Sequence, residues 1–323
     1  MSRVLILGGG GMVGQKLAQR LLDEGLNGGP CEITLHDMAF PDAGVDVADR
    51  RQGNLADAGS MEALAAEKFD VIFHLASIVS GQAETDFDLG WQVNMQPTWV
   101  LLEALRAEQG RDASYRPRLV FTSSIAVFGG PYPDKISDTF LSAPQTSYGA
   151  QKSICETMIS DFSRKGFIDG VSIRLPTICV RPGKANLAAS SFFSGIIREP
   201  LNGMEAILPV PDSVRHWHAS PRAAAGFLTH AAQLDTGLLG GRRALNLPGV
   251  SCTVAEQIEA LREVAGNDVV ARIKPQPDAA IMKIVEGWPR DFEPTRALEL
   301  GFKAEQSFRE IIEIYIADDL KKA

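Results

Sequence analysis

The chain has 323 residues, of which 45% are hydrophobic, enough to bury the core of a large α/β domain with a smaller companion region. Its formal net charge of −8 disfavours nucleic acid as the main partner, because a polyanion repels an acidic protein. No apolar run is long enough to predict a membrane span, and the first residues lack the basic leader of a signal peptide, so we expect neither.

Strands and helices are predicted to alternate along residues 1–176. Residues 3–7 form a short apolar run that is typical of a central parallel strand, and apolar residues recur at helical spacing in 12–24. The alternation continues in predicted strands at 31–36, 71–75, 119–122 and 171–175, and in predicted helices at 60–67, 91–107 and 147–165. This order predicts right-handed βαβ units in a doubly wound parallel sheet, the Rossmann fold.

The composition changes near residue 177, where glycine, proline and arginine become frequent. Later helices are predicted at 221–234, 253–265 and 308–320. We interpret 177–323 mainly as a smaller, substrate-binding region on the carboxyl edge of the sheet. Because the chain is expected to return to the main sheet within this region, the boundary between the two domains is not sharp.

Four consecutive glycines separate the first predicted strand from the first predicted helix. Gly8, Gly11 and Gly14 fit G-x-x-G-x-x-G in the strand–turn–helix context of a dinucleotide site. A tight turn without Cβ atoms lets the backbone approach a pyrophosphate, whose charge is bound by free N–H groups at the helix start. Gly9 and Gly10 are expected to be variable positions that tolerate side chains better. The alternative is a glycine-rich turn without a ligand.

Asp37 ends the second predicted strand, about 20 residues beyond the glycines. An acidic side chain there accepts hydrogen bonds from the adenosine ribose hydroxyls and repels a 2′-phosphate. The next residues, Met38 and Ala39, offer no arginine to hold such a phosphate. The sequence therefore favours NAD over NADP, with an ordinary loop aspartate as the alternative.

Tyr148 and Lys152 lie four residues apart in the predicted helix 147–165 and therefore share a face. A tyrosine is a weak base, but an ammonium and an oxidised nicotinamide nearby both favour its phenolate. Tyr148 could then take the proton of a substrate hydroxyl as hydride leaves the carbon. Ser123 and Ser124 end a strand where open α/β sheets place ligands, and a serine there can bind the substrate oxygen. The alternatives are a surface helix pair and a strand-end turn.

Together these residues resemble the extended short-chain dehydrogenase/reductases, the family that includes the nucleotide-sugar epimerases and dehydratases. The resemblance covers nearly the whole chain, with further matches at 73–76, 174–176 and 296–302. It implies a catalytic triad of Ser124, Tyr148 and Lys152. It also implies an NAD site formed by Gly8, Gly11, Met12, Val13, Gly14, Asp37, Asn54, Leu55, Leu75, Ala76, Ser77, Asn94, Tyr148, Lys152 and Pro176. Asn54 stands where the family usually has an acidic residue, although its amide can still bind the adenine.

Downstream segments are most similar to family members that oxidise the 2-hydroxyl of D-erythronate, a four-carbon sugar acid, to 2-oxo-tetronate with NAD. These segments are 77–81, 174–184, 190–194, 197–200 and 215–218. A sugar acid needs a cation for its carboxylate and short polar groups for its hydroxyls. The candidates are Ser77, Ser80, Ser124, Tyr148, Arg174, Thr177, Arg181 and Arg215, and each arginine has a surface or ion-paired role as its alternative.

Two other functions stay open at this point. A nucleotide-sugar epimerase or dehydratase with tightly bound NAD is weakened by Thr177, which replaces the asparagine that helps to hold the diphosphate in those enzymes. A non-catalytic, NAD-sensing regulatory protein is the other alternative, and Tyr148 and Lys152 argue against it.

His216 and His218 alternate as on a strand and could suggest a metal pair, but they have no acidic or cysteine partner at a useful spacing. We therefore expect no metal, with Trp217 or His218 forming a wall of the substrate pocket.

The four cysteines lie far apart, without C-x-x-C, which indicates reduced thiols of a cytoplasmic protein. The apolar stripes 95–105 and 154–162 are expected to be mostly core, and the resemblance implies that their helices form the seam of a homodimer.

Overall fold

A computed structural model of the chain describes residues 1–183 and 189–320, so residue 184 of the segment 174–184 lies outside the described residues. The strands are β1 (Ser2–Leu7), β2 (Cys31–Asp37), β3 (Asp49–Gln52), β4 (Val71–His74), β5 (Arg118–Ser124), β6 (Ile136–Ser137), β7 (Asp169–Leu175), β8 (Thr177–Ile178), β9 (Ala206–Leu208), β10 (Arg215–Ala219), β11 (Ala244–Asn246), β12 (Val250–Thr253), β13 (Ile273–Pro275) and β14 (Phe292–Glu293).

The helices alternate with these strands along the first half of the chain and cluster in the second. They are α1 (Met12–Glu24), α2 (Ser60–Ala66), α3 (Ser80–Thr85), α4 (Phe87–Asn94), α5 (Gln96–Arg111), α6 (Ser147–Arg164), α7 (Ser191–Leu201), α8 (Pro221–Gln233), α9 (Val254–Ala265), α10 (Asn267–Val270), α11 (Ala279–Glu286), α12 (Thr295–Glu299) and α13 (Phe308–Asp318).

The main sheet has the strand order β11-β7-β5-β4-β1-β2-β3 among the described residues. All of its neighbouring strands are parallel. The chain leaves β1 toward β2 and β3 on one side, and later toward β4 and β5 on the other. The expected doubly wound Rossmann sheet is confirmed, and its topological switch point lies between β1 and β4, where open α/β sheets bind ligands.

The central strand β1 divides the core into two layers. Val4 and Ile6 belong to the core on one face, under α1 and α8, whereas Leu5 and Leu7 belong to the core on the other face, under α2, α5 and α6. All four side chains are fully buried. Because successive side chains of a strand point to opposite faces, an apolar run of this length is what a strand covered on both faces requires.

The later part of the chain builds a second core and also returns to the first. Helices α7, α9 and α13 pack their apolar side chains together, including Phe193, Leu261 and Ile311. By contrast, α8 packs against α1, and β11 extends the main sheet beside β7. The division of the chain near residue 177 stays a prediction, and this return is the reason that the boundary is not sharp.

The helix predicted at 91–107 was wrong in its bounds, because two helices stand there. Helix α4 begins earlier, with the Asp86 carboxylate accepting a hydrogen bond from the Leu89 N–H at 3.0 Å. The backbone turns at Met95, and Pro97 lies in the first turn of α5. Proline has no N–H to continue the hydrogen-bond ladder of a preceding helix, so a new helix begins there.

Candidate active site

A cleft of about 530 Å³ opens at the carboxyl edge of the main sheet. Its walls come from the glycine turn, the ends of β4, β5 and β7, the start of α6, and residues 190–198 and 287–289. Among the predicted site residues, the cleft is lined by Gly8, Gly11, Met12, Val13, Gly14, Leu75, Ser77, Ser80, Ser124, Tyr148, Lys152, Pro176, Thr177 and Arg181. Most of the predicted site therefore converges on one cavity.

The glycine turn is tight at both of its ends. Gly8 has φ +89°, and a Cβ there would lie 2.7 Å from the Ala76 backbone nitrogen. A Cβ at Gly14 would lie 2.3 Å from the Gly8 carbonyl oxygen, so the start of α1 packs directly onto the turn. These contacts explain why the turn needs glycine at both positions.

The expectation that Gly9 and Gly10 tolerate side chains better than the motif glycines was wrong in comparison with Gly11. A Cβ at Gly10 would lie 1.9 Å from the Ala39 carbonyl oxygen, and a Cβ at Gly9 would lie 2.9 Å from Leu35 Cβ. At Gly11 the nearest described atom to a Cβ is the Gly8 carbonyl oxygen at 3.5 Å, an ordinary contact. Gly11 therefore has room within the protein, and its lack of a side chain keeps the cleft open.

This difference predicts opposite effects for two alanine variants. Gly10→Ala should destabilise the fold by about 1–3 kcal/mol, because the added Cβ overlaps a backbone oxygen. Gly11→Ala should leave the melting temperature nearly unchanged but weaken the binding of a dinucleotide, because its Cβ enters the cleft. Thermal unfolding without nucleotide and titration calorimetry with NAD measure the two effects. Equal melting temperatures for the two variants would contradict the argument.

Asp37 lies beside this turn at the end of β2. One oxygen of its carboxylate accepts a hydrogen bond from the Gly10 N–H at 2.9 Å, and the other accepts from the Met38 N–H at 2.7 Å. A carboxylate has about four lone-pair directions, so Asp37 can hold the turn and still accept bonds from two hydroxyls. Asn54 follows β3, where its side chain accepts from the Ala56 N–H at 3.0 Å.

Asn94 is fully buried behind the cleft and holds the loop that follows β4. Its carbonyl oxygen accepts from Ser77 Oγ at 2.9 Å and from the Ile78 N–H at 2.8 Å, while its amide nitrogen donates to Gln151 Oε1 at 2.8 Å. The side chain therefore ties the loop to α6. Of the other predicted cofactor residues, Leu55 and Ala76 pack against the core beside α2 and α5.

Tyr148 and Lys152 share one face of α6, as their spacing predicts. The Lys152 ammonium lies 5.6 Å from the centre of the Tyr148 ring and donates to the Thr122 carbonyl oxygen at 2.9 Å. Only 1% of Lys152 is exposed, whereas Tyr148 is half-buried on the cleft wall. The ammonium of Lys152 thus lies beside the Tyr148 ring, where little solvent screens its charge.

Ser124 ends β5 opposite the start of α6. Its hydroxyl oxygen accepts a hydrogen bond from the Ala126 N–H at 3.1 Å, which leaves the hydroxyl hydrogen able to donate into the cleft. Gly149 lets α6 approach this turn, because a Cβ there would lie 2.1 Å from the Ala126 carbonyl oxygen. The glycine after Tyr148 thus brings the tyrosine and the serine to the same wall.

The structure places two of the three candidate arginines away from the cleft. Arg174 makes two hydrogen bonds to the buried Glu156 carboxylate, at 2.7 and 2.9 Å. Arg215 pairs with Glu256 at 3.1 Å and lines a separate surface pocket. Both guanidinium groups are therefore paired with protein carboxylates, and Arg181 is the candidate that lines the cleft.

Arg181 has an unusual electrostatic environment. Burial is the largest influence on the pKa of its guanidinium and lowers it; Cys179 and Tyr148 act to raise this pKa, and Arg198 lowers it further. Within the described part of the chain, no carboxylate is among the charges that act on it. Such a cation is stabilised by an anion that enters the cleft.

Several lining residues were not among the predicted site residues, although some lie in the segments 77–81, 190–194, 197–200 and 215–218 that carry the resemblance. They come from loops, from α7 and from β10, which fold together from distant positions: Ile78, Val79, Ile125, Gln145, Thr146, Ser190, Ser191, Arg198, His216, Gly287, Trp288 and Pro289. Arg198 donates to the Arg181 carbonyl oxygen at 2.8 Å and forms an ion pair with Glu199. Only the similarity of segment 197–200 to known dehydrogenases could have drawn attention to it.

The pocket wall near β10 differs from the expected one. Trp217 packs in the apolar cluster around Phe128 and Phe292, while His218 is buried against Gln257. His216 is the residue of this strand that lines the cleft.

In residues 1–183 and 189–320 no group of three or more His, Cys, Asp or Glu is arranged to hold a metal ion. The helices in the same ranges include none long and apolar enough to cross a membrane.

A glycine turn between β1 and α1, an acidic residue at the end of β2 and a cleft at the switch point are the features of dinucleotide-binding α/β proteins. Residues 4–240 match the model of the NAD dependent epimerase/dehydratase family. The chain belongs to this family, and the resemblance to the extended short-chain dehydrogenase/reductases is confirmed.

Full-length relatives are found among characterised proteins. The chain is 47% identical to D-erythronate dehydrogenase of Cupriavidus necator, with 98% of each chain covered. It is 42% identical to D-erythronate dehydrogenase of Haemophilus influenzae, covering 98% of this chain and all of the relative. A crystal structure described as the nucleoside-diphosphate-sugar epimerase from Agrobacterium tumefaciens matches with a TM-score of 0.94 and 55% identity, covering 98% and 94% of the two chains.

Proposed function

We propose that the protein oxidises the C2 hydroxyl of a small sugar acid, D-erythronate or a close relative, with NAD as the hydride acceptor. The observation that carries the proposal is the convergence of Ser124, Tyr148, Lys152 and Arg181 on one cleft beside the glycine turn. Two full-length relatives are named D-erythronate dehydrogenase, which supports this choice of substrate.

The residues around the glycine turn fit NAD. Gly11 leaves open space at the N-terminus of α1, where backbone N–H groups favour a pyrophosphate. The Asp37 carboxylate stands beside this turn and suits ribose hydroxyls better than a 2′-phosphate. When bound, NAD supplies the acceptor for the hydride that leaves C2 of the substrate.

The side chains of the cleft supply binding and proton transfer. Arg181 binds the substrate carboxylate, and the Ser124 hydroxyl donates to the C2 oxygen. The Tyr148 oxygen takes the proton of the C2 hydroxyl, and Lys152 stabilises the negative charge that favours this transfer. With the hydroxyl oriented by both Ser124 and Tyr148, the C2 hydrogen is held toward the cofactor side of the cleft.

The direct test is NADH absorbance after NAD and D-erythronate are added to the purified protein. The proposal expects NADH to form in proportion to the D-erythronate consumed. A nucleotide-sugar epimerase with tightly bound NAD is the second candidate, favoured by the description of the Agrobacterium tumefaciens structure. Turnover of a UDP-sugar without net NADH, together with no NADH from D-erythronate, would establish the second candidate instead.

Removing the proposed carboxylate ligand should separate binding from chemistry. We expect Arg181→Met to lower kcat/KM for D-erythronate by about 10–100-fold, the effect of losing a charge-assisted hydrogen bond, chiefly through KM. The matched control is Arg215→Met, whose side chain is paired outside the cleft and should leave KM unchanged. Steady-state kinetics measure both, and an unchanged KM in Arg181→Met would remove Arg181 from the carboxylate site.

We also propose a cytoplasmic homodimer. Trp99 on α5 and Ile154 on α6 are 46% and 36% exposed, and they lie on the two helices that the family resemblance assigns to a seam between two copies. All four cysteines are free thiols, as expected in a reducing compartment. Sedimentation equilibrium should give twice the chain mass, and Trp99→Glu should shift the mass toward the monomer.

A further inference from the structure

Thr177 and His216 form a polar pair in the wall of the cleft. Thr177 lies in β8, which pairs in parallel with β10, and Thr177 is opposite His218 in this register. His216, two residues earlier on β10, faces the same side, and its Nε2 lies 2.7 Å from Thr177 Oγ1. Both residues line the cleft, and 2% of His216 is exposed.

The protein fixes the direction of this hydrogen bond. His216 Nδ1 lies 2.9 Å from the Pro289 carbonyl oxygen, which can only accept, so Nδ1 carries a hydrogen. Burial lowers the pKa of His216 to about 4, so the imidazole is neutral near neutral pH and its Nε2 carries none. The Thr177 hydroxyl must therefore donate to Nε2.

The ring of His216 is also held in orientation by its neighbours. It stacks on Phe193, with ring centres 5.2 Å apart and planes 5° from parallel, and Trp288 lies 5.2 Å away on a tilted plane. The backbone carbonyl, the imidazole and the threonine hydroxyl thus form one directed chain. At its end, the Thr177 oxygen offers lone pairs to the cleft while its hydrogen is engaged.

We propose that Thr177 is an acceptor-only contact that selects substrates with a hydroxyl donor beside it, and that His216 is the positioning residue that enforces this polarity. The inference rests on the proposed function and deepens it, since it concerns a hydroxyl of the sugar acid other than the one oxidised. A hydroxyl there donates to Thr177, whereas a carbonyl, ether or carboxylate oxygen meets a lone pair and is rejected.

The kinetic test compares D-erythronate with its 3-deoxy and 4-deoxy analogues as substrates. The wild-type protein should prefer D-erythronate, by about 10–100-fold in kcat/KM, to the analogue that lacks the hydroxyl bound by Thr177. This is the effect of one buried hydroxyl contact. Thr177→Val should abolish this preference by lowering kcat/KM for D-erythronate alone, and Thr177→Ser should restore it. A preference that persists in Thr177→Val would overturn the assignment.

A second measurement does not depend on turnover. Nitrogen chemical shifts of the histidine rings, with His216 identified by its loss in His216→Phe, report which ring nitrogen carries the hydrogen. We expect the neutral Nδ1–H form of His216 near neutral pH. An Nε2–H form or a doubly protonated ring would overturn the inference even if D-erythronate is oxidised. Failure of the wild-type protein to form NADH would refute the proposed function but would not change which ring nitrogen of His216 carries the hydrogen.

Discussion

Replacing Tyr148 with phenylalanine is expected to lower kcat for sugar-acid oxidation by about 10²–10⁴-fold, the usual contribution of a positioned acid or base. Phenylalanine keeps the ring that packs on the cleft wall but removes the oxygen that receives the C2 proton. The Lys152 ammonium, which bonds the Thr122 carbonyl oxygen, keeps its place. The fold and NAD affinity should therefore change little, and the loss should fall on kcat rather than on KM.

Tyr115→Phe is the matched control for this variant. The Tyr115 hydroxyl donates to the Phe69 carbonyl oxygen at 3.0 Å and does not line the cleft. The same chemical change there should cost about 1 kcal/mol of stability and leave kcat unaltered. Stopped-flow and steady-state measurements of NADH formation compare the two variants. A Tyr148→Phe protein with wild-type kcat would rule out the tyrosine as base.

The parts of this site that the sequence predicts are those fixed by local geometry. A glycine turn between a strand and a helix is typical of a dinucleotide site, and Tyr148 and Lys152 share a helix face by spacing alone. The sheet follows from the alternation of apolar strands and helices. The polar strand Asp49–Gln52 escaped prediction, because it is an edge strand held by its backbone ladder rather than by apolar burial.

The remaining features depend on which side chains meet after folding. Sequence spacing does not distinguish Arg174, paired to a carboxylate from α6, from Arg181, which lines the cleft. The tight fit of Gly10 against the Ala39 carbonyl oxygen depends on how the loop after β2 returns to the turn. The direction of the hydrogen bond between Thr177 and His216 likewise depends on the backbone oxygen of Pro289, more than a hundred residues after Thr177 in the chain. No local pattern encodes such contacts.

Arg174→Met is expected to destabilise the protein by about 3–5 kcal/mol, because it leaves the Glu156 carboxylate buried without its cation. The side chains of this pair are only 12% and 6% exposed, and the carboxylate also accepts from Ser123 Oγ, next to Ser124. Urea denaturation measures the loss. Arg215→Met removes an ion pair that is 37% and 55% exposed, so it should cost at most about 1 kcal/mol.

The double variant Glu156→Gln with Arg174→Met tests the cause of this loss. Removing both charges leaves no unpaired ion in the core, so the double variant should be more stable than the single variant Arg174→Met. A double variant no more stable than the single one would show that packing of the arginine stem, rather than charge, dominates. If Arg174 bound the substrate carboxylate instead, Arg174→Met would raise KM with little loss of stability. The bidentate contact with Glu156 predicts the opposite, a stability defect with KM nearly preserved.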